Sequence, residues 1–323
     1  MTDTWHSLED VPADGRSVVT LGNFDGVHRG HQAVLERVVQ EATARGDRSV
    51  AITFDPHPLV VHRPEDPPTL ITGLEDRLER MAETGLDAIL VIPYTLEFAQ
   101  QSAAEFVRAY VVEGLRASGV VIGHDTTFGR GNTGHADQLR ELGGCLRFTV
   151  EVLDLAGVSN GGERRWSSTW VRELVDDGKV AEAAEILGRP HRLRGTVTRG
   201  EAMGRRIGFP TANLDVYAGM IPAYGVYAAW LTVLESGGNA DAEAMAGGRH
   251  AAAVSLGVNL TVGGTEFRVE AHVPDVPDAD LYGAKVALDF VDRRRDMMSF
   301  PSIEDLKVAL GEDVAWVRGV LPS

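Results

Sequence analysis

A change of hydrophobic period part-way along the chain limits its fold more than any other feature. Up to about residue 123, short apolar bursts alternate with stretches of helical spacing; beyond residue 194 strand-like runs dominate until one last helical stretch. Ser17–Leu21 and residues 49–54, 88–92 and 120–123 read as strands, and residues 32–44, 74–84 and 103–114 as helices. Residues 55–68 read as a proline-rich loop. Strands that alternate with helices predict a doubly wound, Rossmann-like α/β domain whose parallel sheet is covered on both faces. In such sheets ligands bind beyond the carboxyl ends of the strands.

The rest of the chain predicts a different architecture. Ser168–Asp176 and Val180–Leu187 read as two short helices, closed by Gly188-Arg189-Pro190. Residues 195–198, 225–233, 252–258, 267–273 and 285–290 read as strands, and residues 302–310 as a helix capped by Ser302. This pattern predicts a small antiparallel β-barrel with a terminal helix. Residues 235–248, rich in glycine, alanine and acid, read as a solvated hairpin loop. The expected domains are residues 1–187 and 188–323, comfortable for a chain of 323 residues.

Charge narrows the choice of function. Lys plus Arg number 31 and Asp plus Glu 47, so the net charge is 31 − 47 = −16 with neutral histidine. A chain this acidic is not expected to grip a nucleic-acid backbone. An anionic ligand must be held locally, by backbone N–H groups, helix ends and a few placed cations. Cys145 is the single cysteine, which excludes an internal disulfide and suits the reducing cytoplasm. Its expected role is that of a small core residue rather than a nucleophile. No signal peptide is expected from the first residues, and no window approaches the ~20 apolar residues of a membrane span.

The most informative stretch is Leu21-Gly22-Asn23-Phe24-Asp25-Gly26-Val27-His28-Arg29-Gly30-His31. It leaves a strand, turns through glycines and enters a helix, whose first N–H groups and partial positive charge favour an anion. His28 and His31, three residues apart, can share one face of the first turn and donate to a phosphate. A capped turn with two surface histidines is the bland alternative. The longer run, followed by Thr53-Phe54-Asp55-Pro56-His57-Pro58, resembles the His-x-Gly-His module of the nucleotidyltransferases, and in particular the prokaryotic bifunctional riboflavin kinase/FAD synthetases. Gly123-His124-Asp125-Thr126-Thr127-Phe128-Gly129 and Ser167-Ser168-Thr169-Trp170-Val171-Arg172 resemble two further motifs of that family, in order.

The resemblance implies adenylylation of FMN by ATP, with release of pyrophosphate. It implies that His28 and His31 steady the α-phosphate, that Gly22, Asn23, Phe24 and Gly30 help bind ATP, and that Ser168, Thr169 and Arg172 hold its β- and γ-phosphates. Phe54, His57, Asp125 and Phe128 would contact the flavin substrate. Thr126 stands where the family usually has an aromatic residue.

A second glycine-rich run, residues 195–214, lacks the Gly-Lys-Ser/Thr of a Walker loop. If residues 211–213 are extended, Thr211 and Asn213 point to one face and can ligate Mg²⁺ and phosphate; a plain turn is an equal reading. The run Gly204-Arg205-Arg206-Ile207-Gly208-Phe209-Pro210-Thr211-Ala212-Asn213 resembles the flavokinase module of the same family. That resemblance implies an ATP and Mg²⁺ site at Gly204, Arg205, Gly208, Thr211 and Asn213, and makes Glu270 the general base for the riboflavin 5′-hydroxyl. A solvent-facing strand residue is the commoner fate of such a glutamate.

Leu260 and Val262 stand where the family has proline and phenylalanine, Val273-Pro274 near a usual Leu-Asp, and Ser299 in place of a usual lysine. The expected function is therefore phosphorylation of riboflavin to FMN and adenylylation of FMN to FAD, using ATP with Mg²⁺. Alternatives are a paralogue with a weak or inactive kinase half, acting as an FMN adenylyltransferase or on a flavin analogue, a tRNA-linked enzyme, disfavoured by charge, and a non-catalytic flavin sensor or carrier. The expected partners are riboflavin, FMN, FAD and ATP, without nucleic acid or membrane.

Overall fold

The structure, a computed structural model, describes residues 1–154, 164–200, 203–258, 267–276 and 279–322. Contacts divide the chain into two compact units, Met1–Ser168 and Thr169–Ser323.

The first unit is the expected α/β domain. Strands β1 (Asp3–Trp5), β2 (Ser17–Leu21), β3 (Arg48–Asp55), β4 (Ala88–Pro93), β5 (Ala117–Gly123) and β6 (Thr149–Leu153) form one sheet in the order β1-β4-β3-β2-β5-β6. Every pairing in it is parallel. All five residues of β2 are buried, as a strand covered on both faces requires. Helix α1 (Arg29–Arg45) lays Val34, Leu35, Val38 and Ala42 against the sheet and ends at Gly46, whose φ of 68° suits a glycine C-cap. Fully burying each of the larger side chains contributes about 1.5–3 kcal/mol. Two short helices follow, α2 (Pro58–His62) and α3 (Leu74–Ala82). Helix α4 (Ala103–Phe106) runs on into a π-helical stretch, Val107–Gly114, and α5 (Ala136–Leu146) precedes β6.

From β2 the chain winds outward through β3 and β4, then returns to the other side of β2 for β5 and β6. The order therefore reverses between β2 and β5, the point at which a doubly wound sheet generally opens a crevice between its loops. The Gly22–His28 turn and the 123–129 loop are those loops.

In the second unit, α6 (Ser168–Asp176) and α7 (Val180–Leu187) lead into β7 (His191–Thr198), α8 (Met203–Ile207), β8 (Ala212–Ala218) and β9 (Gly225–Glu235). Next come α9 (Ala240–Met245), β10 (His250–Val258), β11 (Phe267–His272), β12 (Lys285–Arg295) and α10 (Ile303–Val320). The strands close into a barrel in the order β10-β11-β8-β7-β12-β9, each pairing antiparallel. Leu193, Leu231, Val254, Val269, Ala271, Leu288 and their neighbours fill its interior. Val317 and Leu321 cover Ala228 and Ala251 on its outer side.

Four expectations are corrected. Residues 55–68 are not all loop, since Pro58–His62 form α2 behind the His57 cap. Cys145 is exposed on α5 rather than in the core, because Leu139 and Gly143 take that helix's inward face. Residues 235–248 are not a plain loop: α9, capped by Asn239, buries Ala242 and Met245 against the barrel. The last helix runs on to Val320, its interior accommodating Gly311 while Asp313 and Val317 pack inward beyond it. Among the described residues no helix is long and apolar enough to cross a membrane.

Candidate active sites

At the end of β2 the backbone makes a strained turn. Phe24 and Val27 have φ of 51° and 39°, a region that non-glycine residues rarely adopt, least of all a β-branched valine. The buried Asp25 carboxylate holds the turn by accepting the N–H groups of Ile71 (3.2 Å) and Thr72 (3.1 Å). The Thr72 hydroxyl accepts Gly26 N–H at 3.1 Å. Arg77 donates to the carbonyls of Asn23 (3.2 Å) and Phe54 (2.8 Å), tying the ends of β2 and β3 together, and Thr53 Oγ1 donates to Asn23 O at 3.3 Å. Burial lowers the Arg77 pKa, and the charges of Asp25 and Asp55 oppose that shift. A Cβ on Gly22 would fall 3.1 Å from the Phe24 ring.

This turn delivers His28 to the N-cap of α1, where its Nδ1 accepts His31 N–H at 3.3 Å. An accepting Nδ1 leaves the proton of the neutral ring on Nε2. The rings of His28 and His31 stack with centroids 3.7 Å apart, and the Phe24 ring meets His31 edge-on at 5.3 Å. His31 Nδ1 is buried without a hydrogen-bond partner, which a lone pair tolerates better than an N–H, so its proton too belongs on Nε2. Burial, then the neighbouring His28, hold the His31 pKa well below the ordinary imidazole range. The pair thus offers two Nε2–H donors at the start of a 17-residue helix, a setting built for an anion. Gly30 is buried in the first turn.

The other expected residues of this unit lie at the same strand ends. His57 is buried and caps α2, its Nδ1 accepting Leu59 N–H at 3.2 Å. Phe54 is buried against Tyr94 and Phe98. Asp125 is exposed just beyond β5. Phe128 packs on Phe106, and the glycine that follows it is required: at Gly129 φ is 71° and a Cβ would lie 2.5 Å from Ala103 N. Ser168 donates to the Asp25 carbonyl at 2.8 Å. Thr169 and Arg172 belong to the second unit, where Thr169 is exposed and Arg172 half-buried on α6. Asp25, Thr72 and Arg77 were missed as site residues. Asp25 carried a signal, an acid between glycines of the motif; Thr72 and Arg77 lie in unremarkable sequence and are recruited through space.

The barrel has its own polar row. Ser255 pairs with Glu270 and Glu270 with Asn213, so three adjacent strands present these side chains on one face. Asn213 pairs in turn with Thr198 on β7. Val269 and Ala271 point into the barrel core, which turns Arg268, Glu270 and His272 outward. Thr211, Asn213, Ser255 and Glu270 line an open cavity of about 150 Å³, whose far wall includes Phe300 and the α10 residues Leu310 and Asp313. Asp313, itself buried, pairs with Arg294 and Arg295 of β12 at 3.1 and 2.6 Å and fastens α10 there.

A second, smaller hollow of about 50 Å³ opens beside the first, lined by Arg205, Ala212, Val273 and Tyr282. Gly204 and Thr211 line both. Gly204 cannot be larger, since a Cβ would lie 2.3 Å from Phe209 O, and Gly208 has φ of 90°. Ser255, His272, Arg295 and Asp313 escaped sequence reasoning because only strand register and the α10 contact bring them to the cavity. Leu260 and Val262 lie outside the described residues, whereas Ser299 is exposed beside Phe300.

The FAD synthetase family model matches residues 10–169 and the riboflavin kinase model residues 187–321. A bifunctional riboflavin kinase/FMN adenylyltransferase of Escherichia coli strain K12 is 32% identical over 313 residues, covering 97% of this chain and 95% of its own. The chain belongs to that family. Another bifunctional riboflavin kinase/FMN adenylyltransferase, from Pseudomonas fluorescens, is 34% identical over 98% of this chain and 96% of its own. A crystal structure described as a macrolide-efflux protein from Streptococcus pneumoniae matches with a TM-score of 0.84 at 30% identity, over 98% of both chains. Efflux is said of that protein alone. Family membership makes this chain an ATP-using kinase and adenylyltransferase.

Proposed function

We propose that the two activities of the family, riboflavin to FMN and FMN to FAD, are carried by two separate sets of residues in this chain. The division of labour follows residues 1–187 for adenylyl transfer and 188–323 for phosphorylation.

In the first set an FMN phosphate oxygen attacks the ATP α-phosphorus in line, and the bond to pyrophosphate breaks. His28 and His31 donate Nε2–H to the α-phosphate oxygens as their charge grows. The turn from Gly22 to Phe24, with Gly30, admits the nucleotide to the helix end. Ser168, Thr169 and the forked guanidinium of Arg172 suit the departing β- and γ-phosphates. Phe54, His57, Asp125 and Phe128 flank the flavin substrate. The observation that carries this reading is the position of the paired histidines at the point where the sheet reverses its strand order.

In the second set, Glu270 takes the proton of the riboflavin 5′-hydroxyl while that oxygen attacks the ATP γ-phosphorus and ADP leaves. The larger cavity suits the flavin, and the smaller hollow, lined by Gly204 and Arg205, suits the nucleotide; Thr211 lines both. Among the described residues no cluster of three or more His, Cys, Asp or Glu could cage a metal. The Thr211 hydroxyl and Asn213 amide fit a Mg²⁺ held chiefly by phosphates and water, which neutralises phosphate charge when bound. Thr211, Asn213 and Glu270 line one cavity, which supports an active kinase half. The need for ATP and the lone Cys145 agree with action in the cytoplasm.

A two-step assay tests the reading: riboflavin with ATP should give FMN and then FAD with pyrophosphate. FAD formed from FMN but no FMN formed from riboflavin would refute the bifunctional claim.

A further inference from the structure

The antiparallel ladder between β8 and β11 pairs Leu214 with Val269, Asn213 with Glu270 and Ala212 with Ala271, and stops there. The next pair would join Thr211 to His272. Residue 210 is a proline, without an N–H to prolong a ladder. A side chain takes over at this point: His272 Nδ1 lies 2.7 Å from the Pro210 carbonyl oxygen. A carbonyl only accepts, so Nδ1 carries the proton and the neutral ring leaves Nε2 as an acceptor. The imidazole is buried, with the Phe209 ring against it at 5.6 Å and 65°. Phe209 N–H in turn donates to Gly204 O at 2.8 Å. The segment that brings Thr211 to the cavity is therefore fixed from both sides, and beyond the Ala212–Ala271 pair the His272 side chain links it to β11.

We propose that His272 is a positioning residue for phosphoryl transfer: its hydrogen bond to Pro210 locks the Thr211 hydroxyl in register with Glu270. This rests on the reading of Thr211, Asn213 and Glu270 as the phosphorylating set. The bond matters because Thr211 lies past the last backbone pair, where a strand end frays unless something else holds it. Small displacements of a phosphate-binding hydroxyl cost rate steeply.

The test compares His272→Asn, whose amide N–H reaches the Nδ1 position, with His272→Gln, whose amide reaches the Nε2 position, and with Thr211→Ala, all in the full chain. For His272→Gln, kcat/KM for MgATP in riboflavin phosphorylation should fall about tenfold, while His272→Asn stays within about threefold of the parent. His272 also lines the larger cavity, so riboflavin affinity, read from flavin fluorescence without ATP, can fall in both variants, but in His272→Gln it should fall less than kcat/KM for MgATP, because the lost bond acts first on Thr211. FMN adenylylation by the same samples reports that the amount of intact chain is equal. Equal activity of the Asn and Gln variants, or a loss confined to riboflavin affinity, overturns the role of His272. Full activity of Thr211→Ala overturns the underlying site instead.

Discussion

His28 and His31 stack ring on ring, their centroids 3.7 Å apart and their planes 20° apart, while the Nδ1 of the first accepts the backbone N–H of the second. Two protonated imidazoles cannot share that geometry at the positive end of a helix. Burial and His28 therefore keep His31 neutral, and its pKa falls well below the ordinary value.

A consequence for stability follows from the sign of that shift. As pH falls through about 6.5, the unfolded chain binds a proton on residue 31 that the folded chain refuses, so folding weakens by at most about 1.4 kcal/mol per pH unit. Urea unfolding of the parent and of His31→Gln, at pH 7.5 and at pH 5.5, should show a greater acid loss in the parent. Parallel losses would remove His31 from the linkage.

Arg77 is 2% exposed and holds the carbonyls of Asn23 and Phe54. Its replacement by methionine, close in length but without donors, strands both acceptors and removes the positive charge that faces Asp25 and Asp55. The first unit should lose about 2–4 kcal/mol, read from urea unfolding, and FAD synthesis from FMN should fall with it. A loss below about 0.5 kcal/mol would mean that water replaces the guanidinium at no cost.

Asp313 fastens α10 to Arg294 and Arg295 and lines the larger cavity. Asp313→Asn keeps the shape and removes the charge, so the wall of the flavin cavity loosens and riboflavin KM should rise about tenfold, with FMN adenylylation unchanged. An unchanged KM would show that the Asp313 ion pairs do not shape the cavity.

Much of this was legible in the sequence because local pattern and tertiary demand agree. Ser168–Asp176 and Val180–Leu187 form as read, since each carries its own apolar stripe and α7 ends at a glycine in the left-handed region. Three of the first site's four motifs fall at strand ends, where period-two and helical signals meet, and the fourth opens α6. Other elements had no local voice. Strand β1 is three residues long and exists through pairing with β4. Helix α5 contains Gly143-Gly144-Cys145, poor helix formers that packing overrides. His272 lies two residues past Glu270, and only the cross-strand register, which no single segment contains, gives it a partner.

The central claim is that two chemistries run on separate residues of one chain, and reciprocal substitution tests it most directly. FMN formation from riboflavin and pyrophosphate release from FMN with ATP are measured side by side on His28→Ala and Glu270→Gln. His28→Ala should cut pyrophosphate release at least about tenfold and leave riboflavin phosphorylation intact, and Glu270→Gln should do the reverse. If either substitution lowers both rates together, or neither rate moves, the two-site account is wrong.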